Sequence, residues 1–138
     1  MKTKTIEQTV TFDASPRDVY RAYVDAKQHA TFTGEKASLQ AKPGGKMSAW
    51  DGYVSGEMLV LRPSQRIVQT WKSMNWPKGA AESILDIRLL PKGEKTELTM
   101  VHSGIPATPA SLAKGFTTGW YRSYWQPMRA YFKKRARR

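Results

Sequence analysis

Two histidines are the side chains of this sequence best suited to acid–base chemistry near neutral pH. His102 alternates with the apolar residues Leu98 and Met100, so it is expected to point inward with them. An inward imidazole could orient a polar group of a ligand or transfer a proton. The favoured interpretation is a structural histidine, bonded to a nearby carbonyl or tyrosine hydroxyl. His29 is expected near the surface, at the end of a helix.

Other catalytic and metal-binding chemistries lack the residues they require. The chain has no cysteine, which excludes a disulfide framework, a thiol nucleophile and a thiolate metal site. Two histidines without a carboxylate cluster do not predict a metal site, and one inward histidine does not make a Ser–His–Asp triad. The Pro-Gly-Gly run at 43–45 lacks the helix and the Lys-Ser/Thr pair of a phosphate loop. We therefore expect no cofactor and favour a binding protein over an enzyme, with catalysis by His102 left as an alternative.

Aromatic residues at helical spacing suggest a site for a small molecule. Phe116, Trp120 and Tyr124 share one face of a helix when the C-terminal stretch is placed on a helical wheel. Inward-facing strand residues would complete the wall. The candidate lining is Trp71, Leu85, Ile87, Met100, His102, Phe116, Trp120 and Tyr124, with Trp50, Tyr53 and Trp76 at the mouth. Aromatic walls with few polar groups are typical of small-molecule sites. The alternative, held about as strongly, is that these residues simply fill a core.

The helix that carries this face is predicted over Ser111–Phe132. Ser111 follows a proline-rich loop and is a suitable N-cap residue. The opposite face of the helix is basic, as expected of an amphipathic helix. Pro127 lies inside it and cannot donate to the carbonyl of Ser123, so a kink is expected there.

The residues upstream predict the sheet that this helix needs. Thr3–Phe12 reads as a strand, Ser15 and Pro16 begin a short helix, and Asp25–Phe32 forms a second one. Six short β segments separated by turns then follow. They are Ala37–Ala41, Lys46–Trp50, Tyr53–Leu61, Gln65–Ser73, Ser83–Leu90 and Thr96–His102. Such a succession predicts an antiparallel meander that curves around the long helix.

Length and charge bound the remaining expectations. At 138 residues the chain is expected to be one domain, 1–138, and its N-terminus lacks the apolar segment of a signal peptide. No run is apolar enough to span a bilayer, so a cytoplasmic location is expected. The net charge is +12, and five of these charges lie in the basic tail 133–138. Such a tail could bind nucleic acid or an anionic surface, although a merely solvated tail is the favoured interpretation.

Four motifs carry a resemblance to a known family. They are Ala14–Pro16 with Val19 and Tyr20, Gly56–Pro63 followed by Ile67–Trp71, Thr96–Pro106, and Gly119-Trp120 with Tyr124-Trp125. Together and in this order they are similar to the family of the activator of Hsp90 ATPase, within the START-like (SRPBCC) helix-grip superfamily. The resemblance implies an α+β helix-grip (START/Bet v 1-like) fold. It has a curved antiparallel sheet of about seven strands, a long C-terminal helix, and two short helices after the first strand.

The resemblance also implies which functions to compare. The superfamily binds lipids, polyketides, hormones and other apolar molecules, and a few members are enzymes. We expect a protein that binds a small hydrophobic or aromatic ligand. A chaperone-associated interaction module and a nucleic-acid-binding or anionic-surface-binding protein are the alternatives. An antiparallel sheet with exposed edges also allows a dimer.

Overall fold

The chain forms a seven-stranded antiparallel sheet, two short helices and a long C-terminal helical region. The structure is a computed structural model, and it describes residues 2–136. The strands are β1 (Thr3–Phe12), β2 (Ser38–Leu39), β3 (Lys46–Ala49), β4 (Val54–Arg62), β5 (Arg66–Ser73), β6 (Ser83–Lys92) and β7 (Lys95–Pro106). The helices are α1 (Pro16–Val24), α2 (Ala26–Thr33), α3 (Ala110–Trp120) and α4 (Gln126–Ala136), with a π-helical turn, Tyr121–Trp125, between the last two.

The sheet has the order β1-β7-β6-β5-β4-β3-β2, and every neighbouring pair is antiparallel. The predicted meander from β2 to β7 is therefore confirmed, and β1 joins it at the free edge of β7. Strand boundaries differ from the prediction mainly at β7, which continues to Pro106, and at β2, which has only two residues. The helix-grip fold expected from the sequence is confirmed.

The two short helices begin where their capping residues predict. The Ser15 hydroxyl accepts a hydrogen bond from the backbone N–H of Asp18 at 3.2 Å, and Pro16 occupies the first turn. The carboxylate of Asp25 accepts from the N–H of Lys27 at 2.9 Å. Helix α2 ends at Gly34, whose φ of 80° is the left-handed conformation that glycine adopts without strain.

Strand β4 carries apolar residues on both sides near its end, and its pairing with β5 is irregular there. The register shifts between Met58 and Val60, which changes the side of the sheet that successive residues face. Met58 is fully buried, whereas the adjacent Leu59 is 39% exposed.

The C-terminal helix departs from the prediction at its start. Ser111 was expected to be the N-cap residue, but the helix begins at Ala110 with Pro109 at the N-cap position. Proline has no side-chain acceptor, and no side chain caps this end. The prediction was wrong because Ser111 already has helical conformation and turns its side chain toward a pocket described below.

The same helix changes its hydrogen-bond pattern in the turn before Pro127. The N–H of Gln126 bonds the carbonyl of Tyr121, five residues earlier, which defines a π-helical turn. Pro127 has no backbone N–H and cannot bond the carbonyl of Ser123, so one regular helical hydrogen bond is already absent here. An irregular turn next to this position therefore sacrifices fewer hydrogen bonds than it would elsewhere in the helix. A kink was expected at Pro127; the structure shows a π turn on its N-terminal side, and the kink itself stays a prediction.

The core lies between the helices and one face of the sheet. Trp125, Tyr124, Phe12 and Met128 are among its largest fully buried side chains. Alternate residues of β5, β6 and β7 are buried as predicted, among them Ile67, Gln69, Trp71, Leu85, Ile87, Leu89, Leu98, Met100 and His102. No helix within residues 2–136 is long and apolar enough to cross a membrane. Residues 137 and 138 of the predicted basic tail lie outside the described residues, and residues 133–136 continue α4.

Candidate functional site

A pocket of about 640 Å³ opens between the C-terminal helix and one end of the sheet. Four parts of the chain line it: the segment after α2, the residues between β3 and β4 with the start of β4, the end of β5 with the turn after it, and helix α3 with the residue before it and the π turn. The lining residues are Glu35, Trp50, Tyr53, Val54, Trp71, Ser73, Asn75, Pro109, Ser111, Leu112, Gly115, Phe116, Gly119, Trp120, Ser123 and Tyr124. Six of them belong to the predicted lining: Trp50, Tyr53, Trp71, Phe116, Trp120 and Tyr124.

The helical wall of the pocket is made of two parallel rows of side chains at i, i+4 spacing. One row is large and apolar: Leu112, Phe116, Trp120 and Tyr124. The other is small: Ser111, Gly115, Gly119 and Ser123. A β-carbon added at Gly115 or at Gly119 would meet no atom within 4 Å. This small row, which we call the glycine row, therefore leaves open space beside the large apolar row.

Three buried rings form what we call the aromatic floor of the pocket: Trp71, Trp120 and Tyr124. Each is at most 3% exposed. The ring centroids of Trp71 and Trp120 are 4.8 Å apart, and those of Trp120 and Tyr124 are 4.9 Å apart. Trp50, Tyr53 and Phe116 are more exposed rings of the same lining. The pocket is thus aromatic both at its base and along its sides.

Two indole N–H groups of the lining have no acceptor. The Nε1 atoms of Trp50 and Trp71 are buried and lack a hydrogen-bond partner among residues 2–136. The indole of Trp50 lies near enough to the Tyr124 hydroxyl to favour its ionised form, but burial dominates and raises the pKa of Tyr124. Trp50 also has a φ of 54°, which is strained for a bulky residue. One of the two donors thus lies in the aromatic floor, and the other lies at the strained turn that carries Trp50.

His102 lies behind the aromatic floor and does not line the pocket. It is fully buried, its Nδ1 accepts from the indole N–H of Trp120 at 3.2 Å, and its Nε2 lies 2.7 Å from the Ser83 hydroxyl. That hydroxyl donates to the Trp71 carbonyl at 2.6 Å, so His102 Nε2 carries the proton and donates to Ser83. Burial lowers the pKa of His102 to about 3. His102 is thus fully hydrogen-bonded within the core, but its partners are a serine hydroxyl and an indole N–H instead of the expected carbonyl or tyrosine hydroxyl.

His29 is not at the surface, contrary to the prediction. It is fully buried, with Nδ1 2.8 Å from the Tyr23 carbonyl and Nε2 2.9 Å from the Tyr124 hydroxyl. Nδ1 therefore carries the proton, and the Tyr124 hydroxyl donates to Nε2. Burial lowers the pKa of His29 to about 4, although the bond to Tyr23 opposes this shift. The prediction failed because α2 packs against α4 and the π turn, which covers its imidazole.

Five of the predicted site residues do not line the pocket. Leu85, Ile87 and Met100 are at most 1% exposed and belong to the core cluster, as does the buried His102 described above. Trp76 lies outside the lining, where it packs on Phe116 with ring centroids 6.1 Å apart and donates to the Ala81 carbonyl at 2.9 Å.

Several lining residues were missed by the sequence reasoning. The row of Ser111, Gly115, Gly119 and Ser123 carried a readable signal, because small residues at i, i+4 spacing mark a helix face that leaves room. Glu35, Ser73 and Asn75 carried none. Ser73 donates to the Asn75 side chain, which orders the turn after β5, and this contact depends on the tertiary structure.

Sequence comparison places this fold in a family. The profile of the family described as Activator of Hsp90 ATPase homolog 1-like protein matches residues 13–133. The chain belongs to this family. It is 35% identical to the human activator of 90 kDa heat shock protein ATPase homolog 1 over 122 residues, which cover 88% of this chain and 35% of that protein. The corresponding homolog from Dictyostelium discoideum is 35% identical over 75% of this chain and 27% of its own length. The chain thus spans about a third of these curated relatives.

Solved structures agree on the fold of this family member. An HSP90 activator from Plasmodium falciparum superposes with a TM-score of 0.81 at 24% identity, covering 88% of this chain and 91% of that one. The Aha1 dimer from Colwellia psychrerythraea superposes with a TM-score of 0.78 at 16% identity, covering 94% and 96%. A putative protein of the dynemicin biosynthetic locus also reaches 0.78 at 20% identity, covering 94% and 47%.

Proposed function

We propose that this protein binds a small molecule with an apolar body in the pocket beside α3. The observation that carries the proposal is the glycine row, because it leaves open space next to aromatic rings that a core would otherwise fill. A cavity of this size suits a small organic molecule, and aromatic walls with a few polar groups are typical of such sites. The serine hydroxyls and Asn75 would orient the polar groups of the ligand.

Binding suits this site better than catalysis. Both histidines are buried, neutral at physiological pH and engaged through both ring nitrogens. Neither lines the pocket, so neither contacts a molecule held there. A general base must lie within hydrogen-bond reach of the proton it removes.

The test blocks the pocket without disturbing the fold. N-phenyl-1-naphthylamine, a neutral fluorescent probe, should bind saturably to the wild-type protein. Gly119→Leu places a side chain in the open space and should abolish that binding. The same change removes a glycine from a helix, so the variant should be as stable as the wild type or about 0.5–1 kcal/mol more stable.

Thr118→Leu is the matched control, because Thr118 is exposed on the same helix and does not line the pocket. It adds the same side chain one residue away and should leave probe binding unchanged. Equal binding by wild type and Gly119→Leu, or no binding by the wild type, would contradict the proposal.

A chaperone contact is a second candidate function. The curated relatives that match this chain at 35% identity are named activators of the 90 kDa heat shock protein ATPase. Since the chain spans about a third of them, their activity is proposed for it only in part, as an ability to contact an Hsp90-type chaperone. The measurement is the rate of ATP hydrolysis by such a chaperone with and without this protein, together with binding by sedimentation.

A further inference from the structure

The charge of the pocket lining differs from that of the rest of the chain. Lys and Arg make up 23 of the 138 residues, twice the number of Asp and Glu. Yet among residues 2–136 no Lys, Arg or His belongs to the lining, and Glu35 is the one Asp or Glu in it. Lys114 and Arg122 lie on the same stretch of helix but are exposed and outside the lining. The pocket is therefore a site without positive charge on a strongly basic protein.

Glu35 is held beside the strained turn that carries Trp50. The N–H of Asp51 bonds the carbonyl of Lys36 at 2.9 Å, which ties the segment after α2 to that turn. No ion pair occupies the Glu35 carboxylate among the described residues. Glu35 is itself exposed, so its charge acts where the pocket lining meets solvent.

The other walls of the pocket are rich in aromatic rings. Six rings line it: those of Trp50, Tyr53, Trp71, Phe116, Trp120 and Tyr124. The face of an aromatic ring carries partial negative charge and attracts cations, most strongly for tryptophan. Trp120 packs against Trp71, Tyr124 and Trp125, so its faces are occupied by other rings. The rings that retain exposure are those of Trp50, Tyr53 and Phe116, and they belong to the same lining as Glu35. This part of the lining favours positive charge.

We propose that the ligand of this pocket is an organic cation with an apolar or aromatic body, such as a quaternary or tertiary amine. The cationic group lies against the aromatic rings near Glu35, and the apolar body extends along the glycine row of α3. This inference deepens the proposed function and rests on it.

An anionic ligand fits the same lining less well. It would gain from the net charge of +12, but Lys114 and Arg122 lie outside the lining, whereas Glu35 belongs to it. Salt screens all of these exposed charges, so the nearest one, Glu35, has the largest effect on a molecule held in the pocket. The unpaired indole N–H groups of Trp50 and Trp71 are sealed from solvent, so an anion could not reach them without movement of the rings.

The test compares two probes of similar shape and opposite charge, benzyltrimethylammonium and phenylmethanesulfonate. Binding is followed by the indole N–H signals of the ¹⁵N-labelled protein, where Trp50 and Trp71 report on the pocket. We expect the cation to shift these signals saturably and to bind roughly tenfold more tightly than the anion. The net charge of +12 would by itself favour the anion, so tighter binding of the cation must come from the pocket lining.

Two substitutions test the parts of the site separately. Glu35→Gln should weaken binding of the cation roughly fivefold. Glu94→Gln changes the net charge equally at an exposed turn outside the lining, and it should have no effect. Tyr53→Leu replaces a ring that is 39% exposed and should also weaken the cation.

The outcomes separate this inference from the proposed function. Saturable binding of N-phenyl-1-naphthylamine with equal or tighter binding of the sulfonate overturns the cation preference and leaves small-molecule binding in place. An equal effect of Glu35→Gln and Glu94→Gln overturns the role of Glu35. Failure of both the neutral probe and the cation to bind overturns the proposed function and this inference together.

Discussion

At the scale of single residues, His102 and His29 show how burial can make titratable groups structural. Each imidazole uses one nitrogen as donor and the other as acceptor. Protonation would place a second N–H against the indole N–H of Trp120 in one case and would remove the acceptor of the Tyr124 hydroxyl in the other. The neutral forms are therefore part of the packing that supports the aromatic floor.

This arrangement predicts that the protein loses stability in mild acid. The pKa values are about 3 for His102 and about 4 for His29, whereas an unfolded-chain histidine titrates near 6.5. Because the unfolded chain binds more protons between these values, the free energy of unfolding falls as the pH drops below 6.5. From pH 7 to pH 5 each histidine should cost about 2 kcal/mol, measurable by urea denaturation.

His102→Gln provides the comparison, since glutamine can donate and accept but does not titrate. The variant should lose only about half as much stability as the wild type over the same pH interval. His29→Gln should behave similarly. A loss in His102→Gln equal to that of the wild type would show that this histidine does not contribute to the pH dependence.

At the scale of elements, Gln8 of β1 connects the sheet to the irregular part of the C-terminal helix. Its Nε2 donates to the Thr117 carbonyl at 2.8 Å, and its Oε1 accepts from the Trp125 indole at 2.8 Å. In a regular α-helix the N–H of Tyr121 would bond the carbonyl of Thr117, but here it bonds the carbonyl of Thr118. The Gln8 side chain therefore supplies a partner for the Thr117 carbonyl at the point where the helical pattern breaks. Polar insertion of this kind is a recognised cause of helix irregularity.

We predict that Gln8→Leu destabilises the protein by about 2–4 kcal/mol, because it leaves a buried indole N–H and a carbonyl without partners. Trp125→Phe removes the indole donor and provides the second arm of a double-mutant cycle. Gln8→Leu should cost roughly 1 kcal/mol less in that background. Denaturant unfolding of the four proteins measures this, and an equal cost in both backgrounds would contradict the bridging role.

At the scale of the whole molecule, the surface is strongly basic and only partly neutralised. Five ion pairs join side chains within residues 2–136, against a net charge of +12 for the chain. A protein partner that contacts this surface should therefore be acidic, and its affinity should fall with salt. Binding of nucleic acid through the basic end of α4 stays a prediction, as does a dimer through the sheet edges.

The proposed chaperone contact belongs to this scale. We expect the protein to bind an Hsp90-type chaperone with an affinity that falls as salt increases. Gly119→Leu should retain this binding, because the pocket and the basic surface involve different residues. No co-sedimentation with the chaperone at stoichiometric excess of the protein would count against the contact.

The sequence alone determined most of the fold. Periodicity placed β1 at its observed bounds, and Ser15 with Pro16 placed the start of the first short helix. The alternation in β5, β6 and β7 identified which residues are buried. These features are local, since strand facing follows a two-residue period and capping depends on a few neighbouring backbone groups.

Tertiary structure alone decided which buried residues line a pocket and which fill the core. Trp120 and Met100 are both buried and apolar, but the first lines open space and the second does not, because the pocket exists only where the glycine row of α3 fails to fill the gap to the sheet. The burial of His29 and the position of Glu35 likewise depend on contacts between segments distant in sequence. Hydrophobic pattern identifies a buried face, whereas empty space depends on how well two such faces fit together.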